Sequence, residues 1–145
     1  MNSYYDDSLI EYLDELKIKY TIISDQSYYV EYINKCFPFL GERIDFSKLN
    51  NTIFVDSVQK SISCDVARFI KGLMDDRICN KDEVVIYIGD GLTNNCYEFY
   101  LNDLPIIISF IVNEIPQHHY LLFMDGIKII YISFENEIYF GKINR

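Results

Sequence analysis

The sequence predicts an α+β fold: a mostly antiparallel sheet ending in a C-terminal three-stranded meander, with helices packed on it. Three observations carry that reading. Asp125-Gly126 stands between two apolar runs, and Asp-Gly supplies the positive φ angles of a two-residue type I′ hairpin. Val66, Phe69, Ile70, Leu73 and Met74 recur at i, i+3, i+4, i+7 and i+8, the spacing of one helix face. Val84 to Ile88 is apolar throughout, as in a central strand covered on both sides.

The elements follow in chain order. Residues 6–18 read as an amphipathic helix, with Leu9, Leu13 and Leu16 inward and Glu11, Asp14 and Glu15 outward. Tyr20 to Ser24 forms a short strand. A second helix over 26–36 is capped by Asp25, carries Tyr29, Val30, Ile33 and Phe37 on one side, and stops at Pro38. Arg43 to Phe46 and Thr52 to Val55 read as short strands about a turn at Asn50-Asn51, and Gln59 to Ser63 as loop. Ser63 or Asp65 caps the helix that bears Val66 to Met74. Gly89 to Asn95 is a turn-rich loop between the Val84–Ile88 strand and another at Cys96 to Tyr100. A helix over 103–115, capped by Asn102 with Pro105 in its first turn, is apolar over most of its surface and should be buried against the meander. In the meander, the Asp125-Gly126 turn sets Leu122 opposite Ile129 and Tyr120 opposite Tyr131. It also sets Met124 opposite Ile127 and His118 opposite Ser133. A turn at Glu135-Asn136 sets Ser133 opposite Ile138 and Tyr131 opposite Phe140. Both faces of the first two meander strands are apolar, so each face needs a cover or a partner.

Length and composition bound the rest. The 145 residues, half of them hydrophobic, make one domain over 1–145 that needs neither disulfides nor a structural metal. The formal net charge is −9 with no basic stripe, which excludes nucleic-acid binding and suits a basic protein partner. The plain alternative is charge for solubility. Cys36, Cys64, Cys79 and Cys96 are far apart, with no C-x-x-C and no histidine at zinc-ligand spacing. The acidic start MNSYYDDSLIEY has no apolar signal segment, so reduced thiols in the cytoplasm are expected. The run from Leu104 to Val112 is too short for a membrane span.

No catalytic constellation stands out, and no cofactor or metal is expected. Gly89-Asp90-Gly91 lacks the lysine of a phosphate loop and the following helix of a dinucleotide site, so it reads as a tight turn. In a second reading, Asp90, Asn94, Asn95 and Glu98 form a polar binding loop. His118 and His119 are adjacent on a strand, point to opposite faces and cannot share a metal. Glu135 and Glu137 with Asp125 lie at the meander tips, where carboxylates are normally solvated.

The C-terminal half combines VVIYIGD, the helix LNDLPIIISFIVNEI, the strand start PQHHY, a strand ending S-F-E and the closing E-I-Y-F-G. Over residues 84–141 this pattern resembles small immunity proteins of bacterial contact-dependent growth inhibition and related polymorphic toxin systems. The resemblance implies a cytoplasmic protein that binds the C-terminal domain of a cognate toxin, often a nuclease, and blocks it stoichiometrically. Toxin-contacting residues vary between such pairs, so none carries over. Expected exposure instead nominates Asp90, Glu98, Asp125, Glu135 and Glu137 as the acidic contacts to a basic toxin. Two other classes stay open: a small cytoplasmic hydrolase using His118 or His119 with a carboxylate, and a SUKH-like interaction domain.

Overall fold

The apolar strands of the sequence occupy the middle of one sheet, and helices cover both of its faces. The computed structural model describes residues 2–57 and 61–143. In chain order these form α1 (Tyr4–Glu15), β1 (Thr21–Ile23), α2 (Ser27–Cys36), β2 (Phe39–Leu40), β3 (Arg43–Ile44), β4 (Asn50–Asp56) and α3 (Ile62–Asp75). Then come β5 (Val84–Gly89), β6 (Cys96–Tyr100), α4 (Leu104–Glu114), β7 (His119–Phe123), β8 (Lys128–Ile132) and β9 (Glu137–Lys142). A 7-stranded sheet runs β1-β6-β5-β7-β8-β9-β4, and β2-β3 is a separate hairpin. Every paired neighbour in the sheet is antiparallel. The fold is therefore α+β with the C-terminal meander β7-β8-β9, as the sequence predicts. β5 is central, held between β6 and β7.

Alternate side chains of the strands divide into two cores. On one face α1, α3 and α4 place Leu9, Leu13, Val66, Ile70, Ile107 and Ile111 against Tyr87, Tyr97, Leu121, Phe123, Ile130 and Phe140. On the other, Ile33 of α2, Phe37 just after it, Ile44 of β3, Phe46 and Leu49 cover Ile86, Ile88, Leu122, Ile129 and Tyr131. The two apolar faces of the meander are thus both covered from within the chain. Among the described residues no helix is long and apolar enough to cross a membrane. The four cysteines are free thiols, and burial pushes the Cys79 and Cys96 thiols up to about 12.

Several local expectations are corrected. α1 starts two residues earlier and ends three earlier than the hydrophobic spacing implies. Ser3 and Asp6 form a capping box, each side chain accepting from the other's backbone N–H at 3.1 and 2.9 Å. At the other end Lys17 turns left-handed at φ 56°. Ser61, rather than Ser63 or Asp65, occupies the N-cap position of α3. Asp65 instead accepts from the hydroxyls of Ser57 (2.6 Å) and Ser61 (3.0 Å). The expected loop at 59–63 lies partly outside the described residues, and α3 begins inside it. α4 begins at Leu104, after a 3-10 turn over Leu101–Asp103 that includes the expected cap Asn102. Arg43–Ile44 does not pair with β4 about Asn50-Asn51. It closes a hairpin with β2, while β4 pairs with β9 across more than 80 residues. Neighbour-to-neighbour reading cannot see that pairing.

The meander turns also differ from expectation. Tyr120–Tyr131 and Leu122–Ile129 pair as predicted, but the ladder spans only His119–Ile132 to Leu122–Ile129, so the Met124–Ile127 and His118–Ser133 pairs lie beyond it. The turn is not type I′. Gly126 alone has positive φ (+78°), and its N–H donates to the Phe123 carbonyl at 2.9 Å. Asp125 keeps a negative φ and uses its carboxylate to accept from the N–H groups of Ile127 and Lys128 at 2.9 and 3.3 Å. At the second turn Asn136 takes the left-handed position (φ 66°), which draws Phe134 into the loop. The register therefore shifts by one residue: Ile132 faces Ile138 and Tyr131 faces Tyr139. A one-residue shift exchanges faces, so Phe140 enters the first core and Tyr139 packs beside Tyr131 on the second face.

Candidate functional site

The five acidic candidates do not form one surface. The β8–β9 turn with Glu135 and Glu137 and the loop after β5 with Asp90 share one end of the sheet, because Gly89, His119, Ile132 and Ile138 lie in line across it. Asp125, at the β7–β8 turn, is at the opposite end. Consecutive hairpins of a meander must point opposite ways. Glu98 sits mid-strand, half-buried between Ile86 and Thr21. Together with burial, its charge pushes the Tyr29 phenol of α2 up.

Two of the five already have internal partners. Arg43 reaches Glu137 at 2.8 Å and lies over the rings of Tyr131 and Tyr139 at 5.4 and 5.8 Å. The Arg43 hydrogen bond holds the Glu137 carboxyl below its usual range. Asp125 pairs with Lys128 at 3.1 Å, and Lys128 also contacts Glu83. Asp90 and Glu135 are exposed. Asp90 accepts from the His118 backbone N–H at 3.2 Å.

The histidines do point to opposite faces. His118 joins Tyr131 (hydroxyl at 2.9 Å from Nδ1) and takes the Phe134 N–H on the same nitrogen at 3.1 Å. His119 is 3% exposed and faces the first core, with Nδ1 at 2.7 Å from the Tyr87 hydroxyl. Burial, aided by His118, pushes the His119 pKa down to about 3, so this ring is neutral. The Leu92 N–H donates to Gln117 Oε1 at 2.7 Å, which fixes the Gln117 amide. Gln117 Nε2 then donates to Tyr87 (3.0 Å) and Thr93 (3.1 Å). The Tyr87 hydroxyl thus links His119 Nδ1 to the Gln117 amide. Among the described residues neither imidazole meets a carboxylate, and no group of three or more His, Cys, Asp or Glu is placed to hold a metal ion.

A second buried network starts at Asp6, a residue the helix reading treats as an ordinary polar position. Its carboxylate is fully buried and accepts from the N–H groups of Ser3 (2.9 Å) and Asn94 (2.8 Å) and from the Tyr97 hydroxyl (2.5 Å). Burial alone would raise its pKa, but these bonds outweigh it and hold Asp6 below the usual carboxylate range. Asp6 and Gln117 thereby brace the loop over residues 89–95 from both sides. Gly89 belongs to that brace: a Cβ there would overlap the Gln117 amide and the Thr93 hydroxyl. The Gly-Asp-Gly sequence is thus a packing requirement at its first glycine. Asn94 is exposed, while Asn95 is buried and bonded to Asn2 at 2.8 Å. The loop is fixed rather than adaptable, and it presents Asp90.

Asp90 lines a groove of about 320 Å³ between α2 and residues 89–91. Gln26 and Glu42 also line it, and neither carries a motif that the sequence would flag. A comparison with family models, curated proteins and solved structures finds no match to this chain.

Proposed function

We propose that this chain is a stoichiometric inhibitor of a basic protein: an immunity protein that binds the C-terminal domain of a cognate bacterial toxin and occludes it in the cytoplasm. The observation that carries the reading is the net charge of −9, together with the way the sheet uses its cations. Arg43 of β3 and Lys128 of β8 are already neutralised by Glu137 and by Glu83 and Asp125. Asp90 and Glu135 are left at one end of the sheet with no cation within ion-pair distance among the described residues. A cationic surface that holds phosphate, as in a nuclease, complements such an end and associates quickly at low salt. The pattern over residues 84–141 that resembles immunity proteins points the same way.

Co-expression with the protein encoded immediately upstream tests this. Cells making both chains should survive the upstream protein's C-terminal domain, and the two should co-purify one to one. Unprotected cells and no complex would end the proposal. The hydrolase alternative is separated in the same assay: replacing both histidines by alanine should leave protection in place wherever the fold persists.

A further inference from the structure

We propose that the groove between α2 and residues 89–91 receives an arginine side chain of the protein partner. The groove has the shape and chemistry of such a residue. Its floor is apolar: Ile33 and Ile88 are 5% and 2% exposed, and Tyr120 offers a half-buried ring. Its rim carries the exposed carboxylates of Asp90 and Glu42, from two separate loops. Gln26 adds a buried side-chain oxygen that has no hydrogen-bond partner among the described residues. Among the described residues no lysine, arginine or histidine lines the groove, and both charges on the rim are negative.

An apolar floor under acceptor groups suits a long aliphatic stem with a charged, donor-only head. Lysine and arginine both have one, but the planar guanidinium presents five donors in a fork and stacks on an aromatic face. It can pair with a carboxylate through two N–H groups while its plane lies on an aromatic ring. The rim is preformed: Asp90 is held by the His118 N–H, and Gly89 is locked against Gln117. Little ordering is therefore left to be done on binding.

The identity of the occupant rests on the inhibitor reading above, whereas the groove's chemistry is testable alone. The probe is N-acetyl-arginine-methylamide, titrated at low salt into isotope-labelled protein and followed by amide chemical shifts. Saturable shifts are expected at Gln26, Gly89, Asp90 and Gly91. The isosteric citrulline compound should give none, and the lysine analogue weaker ones. Asp90→Asn and Glu42→Gln should each weaken arginine binding by about two- to fivefold, the size of an exposed ion pair. Asparagine keeps an oxygen for the His118 N–H, so the loop should persist, and an unchanged spectrum elsewhere checks this. Equal shifts with citrulline, shifts confined to other surfaces, or indifference to both substitutions would overturn the site. A lysine analogue that binds as well as arginine would overturn the choice of guanidinium. If the arginine probe binds here but no complex forms with the upstream protein, the site stands and the inhibitor reading fails.

Discussion

His119 shows how one residue can look like a site in sequence and act as a structural post in the fold. Its ring is neutral, closed in by the first core and tied through Tyr87 to Gln117 and the 89–95 loop. Its pKa is pushed below the ordinary 6.5 to about 3. Above 6.5 neither folded nor unfolded chain protonates this ring. Below it the unfolded chain takes up the proton and the folded one does not, so stability falls with pH until about 3, where the folded ring also protonates. Urea unfolding between pH 6.5 and 4 should show this loss, with a slope from this residue approaching about 1.4 kcal/mol per pH unit. His119→Gln should flatten the slope, and an unchanged slope would show that the ring is not held neutral. The adjacency of the histidines and their opposite directions were legible, because strand periodicity alone dictates them. The protonation state was not, because Tyr87 and Gln117 come from other elements. Ser3-x-x-Asp6 before an apolar run is itself a capping-box signal that a purely hydrophobic reading of α1 passes over. The partners of Asp6 at 94–97 have no local signature.

At the scale of elements, long apolar periodicities were legible and short-range pairings were less so. α3 and β5 follow from their side-chain spacing, and both lie where a buried helix face and a central strand must. The strand at Thr52–Val55 was legible, but its partner and the hairpin β2–β3 were misread, since β4 pairs with β9, more than 80 residues along the chain. Turn chemistry decided the remaining register. Gly126 and Asn136 each sit in left-handed backbone, and each closes a loop longer than the two residues that Asp-Gly and Glu-Asn suggest. The Gly126 turn also receives α2, because the Tyr32 hydroxyl donates to the Gly126 carbonyl at 2.6 Å. Gly126→Ala puts a Cβ both in left-handed backbone and against that hydroxyl. It should destabilise the fold by about 1–3 kcal/mol, read as a lower denaturation midpoint at unchanged m-value. A loss within error would mean that the turn tolerates a side chain and does not anchor α2.

At the scale of the whole molecule, the acidic balance is legible from composition, whereas its layout is not. The sheet sends Asp125 to one end and Asp90, Glu135 and Glu137 to the other, and it pairs Asp125 and Glu137 with bases of its own. Among the described residues, one end of the sheet thus presents carboxylates without an ion-pair partner beside a groove that no cation lines. The central claim is that this surface binds a basic protein. The direct measurement is a calorimetric titration of the purified chain with the C-terminal domain of the protein encoded upstream, repeated at rising salt. The account predicts one-to-one binding that weakens steadily between low and physiological ionic strength, as screening shortens the reach of exposed charges to about 8 Å. Absence of binding at low salt, or binding indifferent to salt, would contradict it.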